Sequence, residues 1–109
     1  MSFYGNWKTA TIGSGGTAST EVNLGDTTLT RSFDLLEIQI PTVDSCTLKV
    51  QTAEGTGGTF SDLGSAITTN TTTGAYNTVF KLGGWQYIKI VSSTAQGTVR
   101  TIRVRGMSF

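Results

Sequence analysis

The chain has 109 residues, which leaves room for one hydrophobic core and not two. A hydrophobic content of 37% excludes a disordered chain, and 8 basic against 7 acidic residues give nucleic acid or an anionic membrane no bulk electrostatic hold. No window approaches the ~20 apolar residues of a membrane-spanning helix. A single Cys46 and the absence of histidine exclude an internal disulfide, multi-cysteine metal sites and the commonest metal ligand and general base.

The first eight residues show no apolar run behind a basic start, so no secretory signal is expected and synthesis in a reducing cytoplasm fits best. Residues 1–8 read as a short aromatic arm carrying Phe3, Tyr4 and Trp7. Trp7 to Ile12 and Glu21 to Leu24 read as strands separated by the loop Gly13-Ser14-Gly15-Gly16, with Thr28 to Ser32 as another strand. In the run from Asp34, Leu36, Ile38 and Ile40 alternate with Glu37 and Gln39, the period of a half-buried strand, and Pro41 is expected to end it. Cys46, Leu48 and Val50 alternate with Thr47, Lys49 and Gln51, and Val43 to Ser45 read as a turn that makes an antiparallel pair of the two runs.

After the loop Gly55-Thr56-Gly57-Gly58, the irregular spacing of Phe60, Leu63 and Ile67 predicts a short strand bent at Gly64. Asn70 to Gly74 read as a polar tip. Tyr76 to Leu82 resume the alternation, and Gly83-Gly84 predicts a hairpin into Trp85 to Val91, since paired glycines supply the positive φ of tight primed turns. The last strand spans Thr98 to Arg105. About eight short strands, with no helical period, make one all-β domain over residues 1–109: a two-sheet antiparallel β-sandwich or jelly roll, from which a barrel is not separable by pattern.

Candidate chemistry is sparse. Cys46 shares the phase of Leu48 and Val50 and has no histidine to activate it, so it reads as a buried structural thiol. Asp26, Asp34, Glu37, Asp44, Glu54 and Asp62 mostly sit in turn contexts and not as a paired acid and base. The glycine-rich loops lack the Lys-Ser/Thr ending of a phosphate loop, and no acid-dense loop suits calcium. No catalytic, cofactor or metal residue is therefore expected, and the chain is not expected to be an enzyme. The residues that remain are surface anchors: Phe3, Tyr4 and Trp7 in the arm, Trp85 and Tyr87 on one parity of a strand, and Arg100, Arg103, Arg105 and Phe109 near the other end. Aromatics of this kind suit a subunit interface, or stacking on a sugar. The arginines could form a patch with Lys81 or Lys89, or charge an edge strand against aggregation.

The blocks Leu48-Lys49-Val50-Gln51-Thr52, Gly58-Thr59-Phe60-Ser61-Asp62-Leu63-Gly64 and Trp85-Gln86-Tyr87-Ile88-Lys89-Ile90-Val91 recur in one order with Leu36 to Thr42 and the ending Arg100 to Gly106. Over residues 33–106 the set resembles small virion-associated β-sandwich proteins of tailed bacteriophages. That resemblance implies a capsid decoration (cement) protein, a homotrimer bound to the phage major capsid protein on the capsid surface, with no nucleic acid or membrane partner. A tail or neck accessory protein is its alternative. The middle blocks also resemble discoidin-like, galactose-binding jelly rolls, which implies a glycan as the alternative partner; the shorter chain and missing cysteine pair depart from that group.

Overall fold

A computed structural model describes residues 3–25, 33–68 and 74–108. The expected strand Thr28 to Ser32, the tip up to residue 73, Asp26, the Phe3 side chain and Phe109 lie outside the described residues. Nine strands are present among the described residues: β1 (Phe3–Tyr4), β2 (Lys8–Ile12), β3 (Val22–Asn23), β4 (Leu35–Thr42), β5 (Leu48–Ala53), β6 (Ser61–Ile67), β7 (Gly74–Lys81), β8 (Tyr87–Ser92) and β9 (Arg100–Ser108). All pairings are antiparallel.

One sheet runs β2-β9-β4-β7, with β1 continuing the β2 edge along β9, and the other runs β3-β8-β5-β6. From β2 to β9 every connection changes sheet except β5 to β6. This is the double Greek key of a jelly roll, and it settles the sequence's ambiguity in favour of a sandwich. The inward parity supplies the core. Leu36 and Ile38 from β4, Val50 from β5, Ile88 and Ile90 from β8, and Ile102 and Val104 from β9 are at most 2% exposed. Each such side chain contributes about 1.5–3 kcal/mol by leaving water. Cys46 is buried beside them as a free thiol.

At the β1–β9 end, Phe33 packs where two glycines leave space. A Cβ on Gly106 would lie 2.2 Å from Phe33 Cδ2 and 2.7 Å from Phe33 Cβ, and one on Gly5 would lie 3.0 Å from Phe33 Cζ. The backbone of β9 thus serves as the floor for an aromatic ring.

Several expected connections are different in the structure. β4 and β5 do not pair with each other: β4 lies between β9 and β7, and β5 between β8 and β6. Residues Val43 to Ser45 carry the chain across the sandwich. Likewise Gly83 and Gly84 do adopt positive φ, 69° and 83°, yet the turn is not a hairpin, because β7 and β8 belong to different sheets. Its amides instead bond to the carbonyls of Asp34 and Phe33. Pro41 does not end β4. It has no ladder partner between the pairs Ile40–Tyr76 and Thr42–Gly74, and β9 stops pairing at Gln39, so the missing donor is tolerated inside the strand. The arginine-rich strand β9 is central, not an edge, and its charges stand on a sheet face. The irregularity expected around Gly64 is present: Lys49 pairs with Ile67 and Gln51 with Asp62, so β6 bulges between them.

Candidate functional site

The outward parity of β9 and β4 pairs Arg105 with Glu37 and Arg103 with Gln39, and β2 brings Thr9 beside Arg103. The segment that joins β1 to β2 places Trp7 over this surface. The Arg103 guanidinium lies 4.8 Å from the Trp7 ring centroid, and the Arg105 guanidinium 4.5 Å from the same ring and 4.8 Å from that of Tyr4. Arg105 Nε donates to Glu37 Oε1 at 2.6 Å, and Arg103 Nη1 donates to Gln39 Oε1 at 3.2 Å. Tyr4, Arg105, Trp7 and Arg103 thus form a ladder of alternating rings and cations, buttressed from below by β4.

Each ring–cation contact is worth about 0.5–1 kcal/mol at exposed positions. Their larger effect is to fix side chains that otherwise lose rotamer freedom when a partner docks. Tyr4 remains 55% exposed, while Trp7 and Arg105 are half-buried. The expected free arm is therefore part of the sheet: Phe3 pairs with Ser108 and Tyr4 with Met107, and Gly5 N donates to Gly106 O at 2.8 Å.

The other expected anchors lie elsewhere. Trp85, 36% exposed, precedes β8, and Tyr87 stands on that strand opposite Ala53 and Asn23, in the second sheet. Arg100 starts β9 but reaches the end of the sandwich, where its Nη2 meets Asp44 Oδ1 at 3.3 Å and its Nε meets Gln96 Oε1 at 3.3 Å. Lys89 sits over the Phe60 ring at 4.7 Å. Arg100 and Arg105 each face a carboxylate, so the arginines do not add up to one basic patch.

Gln96 is a residue that sequence reasoning missed. It is fully buried, its Oε1 accepts from Asp44 N at 2.8 Å, and its Nε2 donates to Ser92 Oγ at 3.0 Å and to Thr94 O at 3.2 Å. Its backbone bonds to Gly15 and Gly16, which ties the first glycine-rich loop to the same end. On the second sheet's side, Glu21 fastens the other glycine-rich loop. The Thr56 hydroxyl at 2.6 Å and the Gly57 amide at 2.7 Å hold its carboxylate below the ordinary range. Asp62 is lowered likewise by Gln51 and then by Lys49.

Among the described residues, no three of His, Cys, Asp and Glu come together as a metal site would require. No protein-family model matches the chain, and no curated protein does. Solved structures are similar to it to different degrees. The SPBc2 prophage-derived protein YomS superposes with a TM-score of 0.58 at 14% identity, covering 97% of this chain and 96% of that one. The Yersinia pseudotuberculosis-derived mitogen gives 0.47 at 14% identity over 100% and 88%. The cyanophage Pam1 capsid asymmetric unit gives 0.39 at 16% identity over 96% and 85%. The YomS likeness establishes a common fold along nearly the whole of both chains.

Proposed function

We propose that this protein is a non-enzymatic virion component of a tailed bacteriophage, a decoration protein that binds the capsid exterior and stabilises it by bridging subunits. The observation that carries this reading is the ring–cation ladder of Tyr4, Trp7, Arg103 and Arg105 on a rigid sheet face. Tyr, Trp and Arg are the residue types that dominate protein–protein contact energies, and here they are held in place before any partner arrives. The fold shared with a prophage-derived protein adds support.

The work is mechanical. A shell under internal pressure opens where its subunits separate, and each bridging copy adds buried area that must be exposed first. Apolar burial is worth about 25 cal/mol per Å², offset by the cost of association, so many modest contacts sum to a large resistance. A homotrimer suits local three-fold positions of a shell and multiplies each contact through effective concentration.

Co-sedimentation with undecorated capsids of the encoding phage tests the reading. The wild-type chain is expected to pellet with capsids and to run as a trimer in light scattering. A Tyr4→Ala/Trp7→Ala double variant is expected to lose capsid binding while keeping a cooperative thermal transition. A monomer that stays in the supernatant overturns the proposal, and so does full binding by the double variant. These point changes are cleaner than deleting residues 1–7, which also removes β1 and the Gly5–Gly106 bond.

A further inference from the structure

We infer that the depression on the outer side of β9, β4 and β7 binds a carboxylate-bearing sugar, an acidic pyranose such as a hexuronate or a sialic acid. It is open to solvent, has a volume of about 580 Å³ and is lined by residues of these three strands, with Gln39, Asn77, Thr101 and Arg103 on the outward parity beside Pro41 and Ala75. That volume lies within the usual range for small-molecule sites.

The chemistry of the lining selects the class. No aspartate or glutamate lines the depression, and Arg103 has no carboxylate partner among the described residues, unlike Arg100 and Arg105. Its guanidinium is oriented by the Trp7 ring and by Gln39, with a single hydrogen bond to that amide. A guanidinium carries five donors in a planar fork that matches a carboxylate. Around it stand the amides of Gln39 and Asn77 and the hydroxyl of Thr101, which share its face of the sheet and which donate and accept and so fit sugar hydroxyls.

Shape favours a sugar over a peptide. The lining takes only two to four neighbouring residues from each of three adjacent strands, so it is about 10 Å across the sheet at ~4.8 Å per strand. One or two rings fill such a space; an extended peptide needs a longer track. The backbone is also held in an unusual state here. Gly74 and Ala75 have φ of 72° and 60°, and Ala75 is the one non-glycine residue at positive φ among the described residues. Such outliers concentrate at ligand sites, where the surrounding structure maintains them. A Cβ on Gly74 would lie 2.0 Å from Pro41 O, so glycine is what allows β7 to close against β4 at this end.

The depression shares Arg103 with the ring–cation ladder, whereas Asn77 belongs to the depression alone, so a loss of sugar binding in Asn77→Ala is separable from the capsid contact. Amide chemical-shift titrations with D-glucuronate, N-acetylneuraminate, methyl glucoside, acetate and an aspartate-rich peptide test it. At least one acidic sugar is expected to saturate with a Kd on the order of 1 mM, shifting the amides of Gln39, Asn77 and Thr101. Methyl glucoside, acetate and the peptide are expected to bind at least about tenfold more weakly, because each lacks one half of the recognition. Arg103→Gln is expected to lose about tenfold or more, with a smaller loss in Arg103→Lys. Asn77→Ala, on the exposed edge strand, is expected to lose several-fold with its amide dispersion intact. No saturable response to either acidic sugar up to about 20 mM overturns the inference, as does equal binding of acetate or the peptide, or undiminished binding by both Arg103→Gln and Asn77→Ala.

Discussion

Replacing Gln96 by leucine removes a buried amide that joins the backbone of Asp44 to the buried hydroxyl of Ser92. The side chain is 0% exposed, and its carboxamide satisfies the backbone N–H of Asp44 at 2.8 Å and donates to Ser92 Oγ at 3.0 Å. It also contacts Thr94 O and Arg100 Nε. Leaving the Asp44 amide without an acceptor costs about 1–3 kcal/mol, and the lost bond to Ser92 adds ~1 kcal/mol. The leucine recovers part of this by burying apolar atoms, so Gln96→Leu is expected to lose roughly 1–3 kcal/mol net. For a domain of this size that lowers Tm by about 5–15 °C.

The assay is urea unfolding followed by tryptophan fluorescence, with hydrogen exchange to localise the effect. The backbone bonds from Gln96 to Gly15 and Gly16 do not involve the side chain. Faster exchange should therefore appear first at Asp44 and around Gly97, whose amide is held by Asp44 Oδ2 at 2.7 Å. A loss below about 0.5 kcal/mol, or exchange that speeds up uniformly, would refute the idea that this amide organises the loop end.

Gly106→Ala is expected to cost at least ~1–3 kcal/mol in chemical denaturation, because the new methyl meets Phe33 at 2.2 Å and the nearby Phe33 Cβ prevents the ring from swinging aside; a neutral effect would contradict the packing described. Acid should weaken the fold in a defined direction. Glu21 and Asp62 are held below the ordinary carboxylate range in the folded chain, so their stabilisation is present above that range and is lost as pH falls through it toward the folded values. Tm measured from pH 7 downward is expected to hold until about pH 5 and then fall, and Glu21→Ala should flatten part of that fall.

The inward half of the fold was legible because alternation depends only on neighbours in the chain. Leu36, Ile38 and Ile40, Leu48 and Val50, and Ile102 and Val104 all point inward as their spacing implies. Which strand pairs with which was not legible. A turn such as Gly83-Gly84 has the same local conformation whether it folds back into one sheet or crosses to the other, and the crossing is decided by tertiary packing. The contact residues were legible as types and not as a group: Trp7 and Arg103 are far apart in sequence, and only the β2–β9 register brings them together. Arg100 shares their strand and chemistry, yet Asp44 and Gln96 draw it to the end of the sandwich. Gln96 carries no sequence signal, since a buried glutamine in a loop looks like any exposed one until its partners converge. The left-handed backbone at Gly74 and Ala75, at the end of β7 beside the depression, was not legible either, since nothing in a Gly-Ala pair announces it.

Electron cryo-microscopy of undecorated capsids incubated with the purified protein addresses the decoration role most directly. The account predicts regular added density on the outer surface, with the face that bears Tyr4, Trp7 and Arg105 turned toward the shell, and no such density for the Tyr4→Ala/Trp7→Ala variant. Shells left bare by the wild-type protein, or decorated through the β8 face that carries Tyr87, would contradict it.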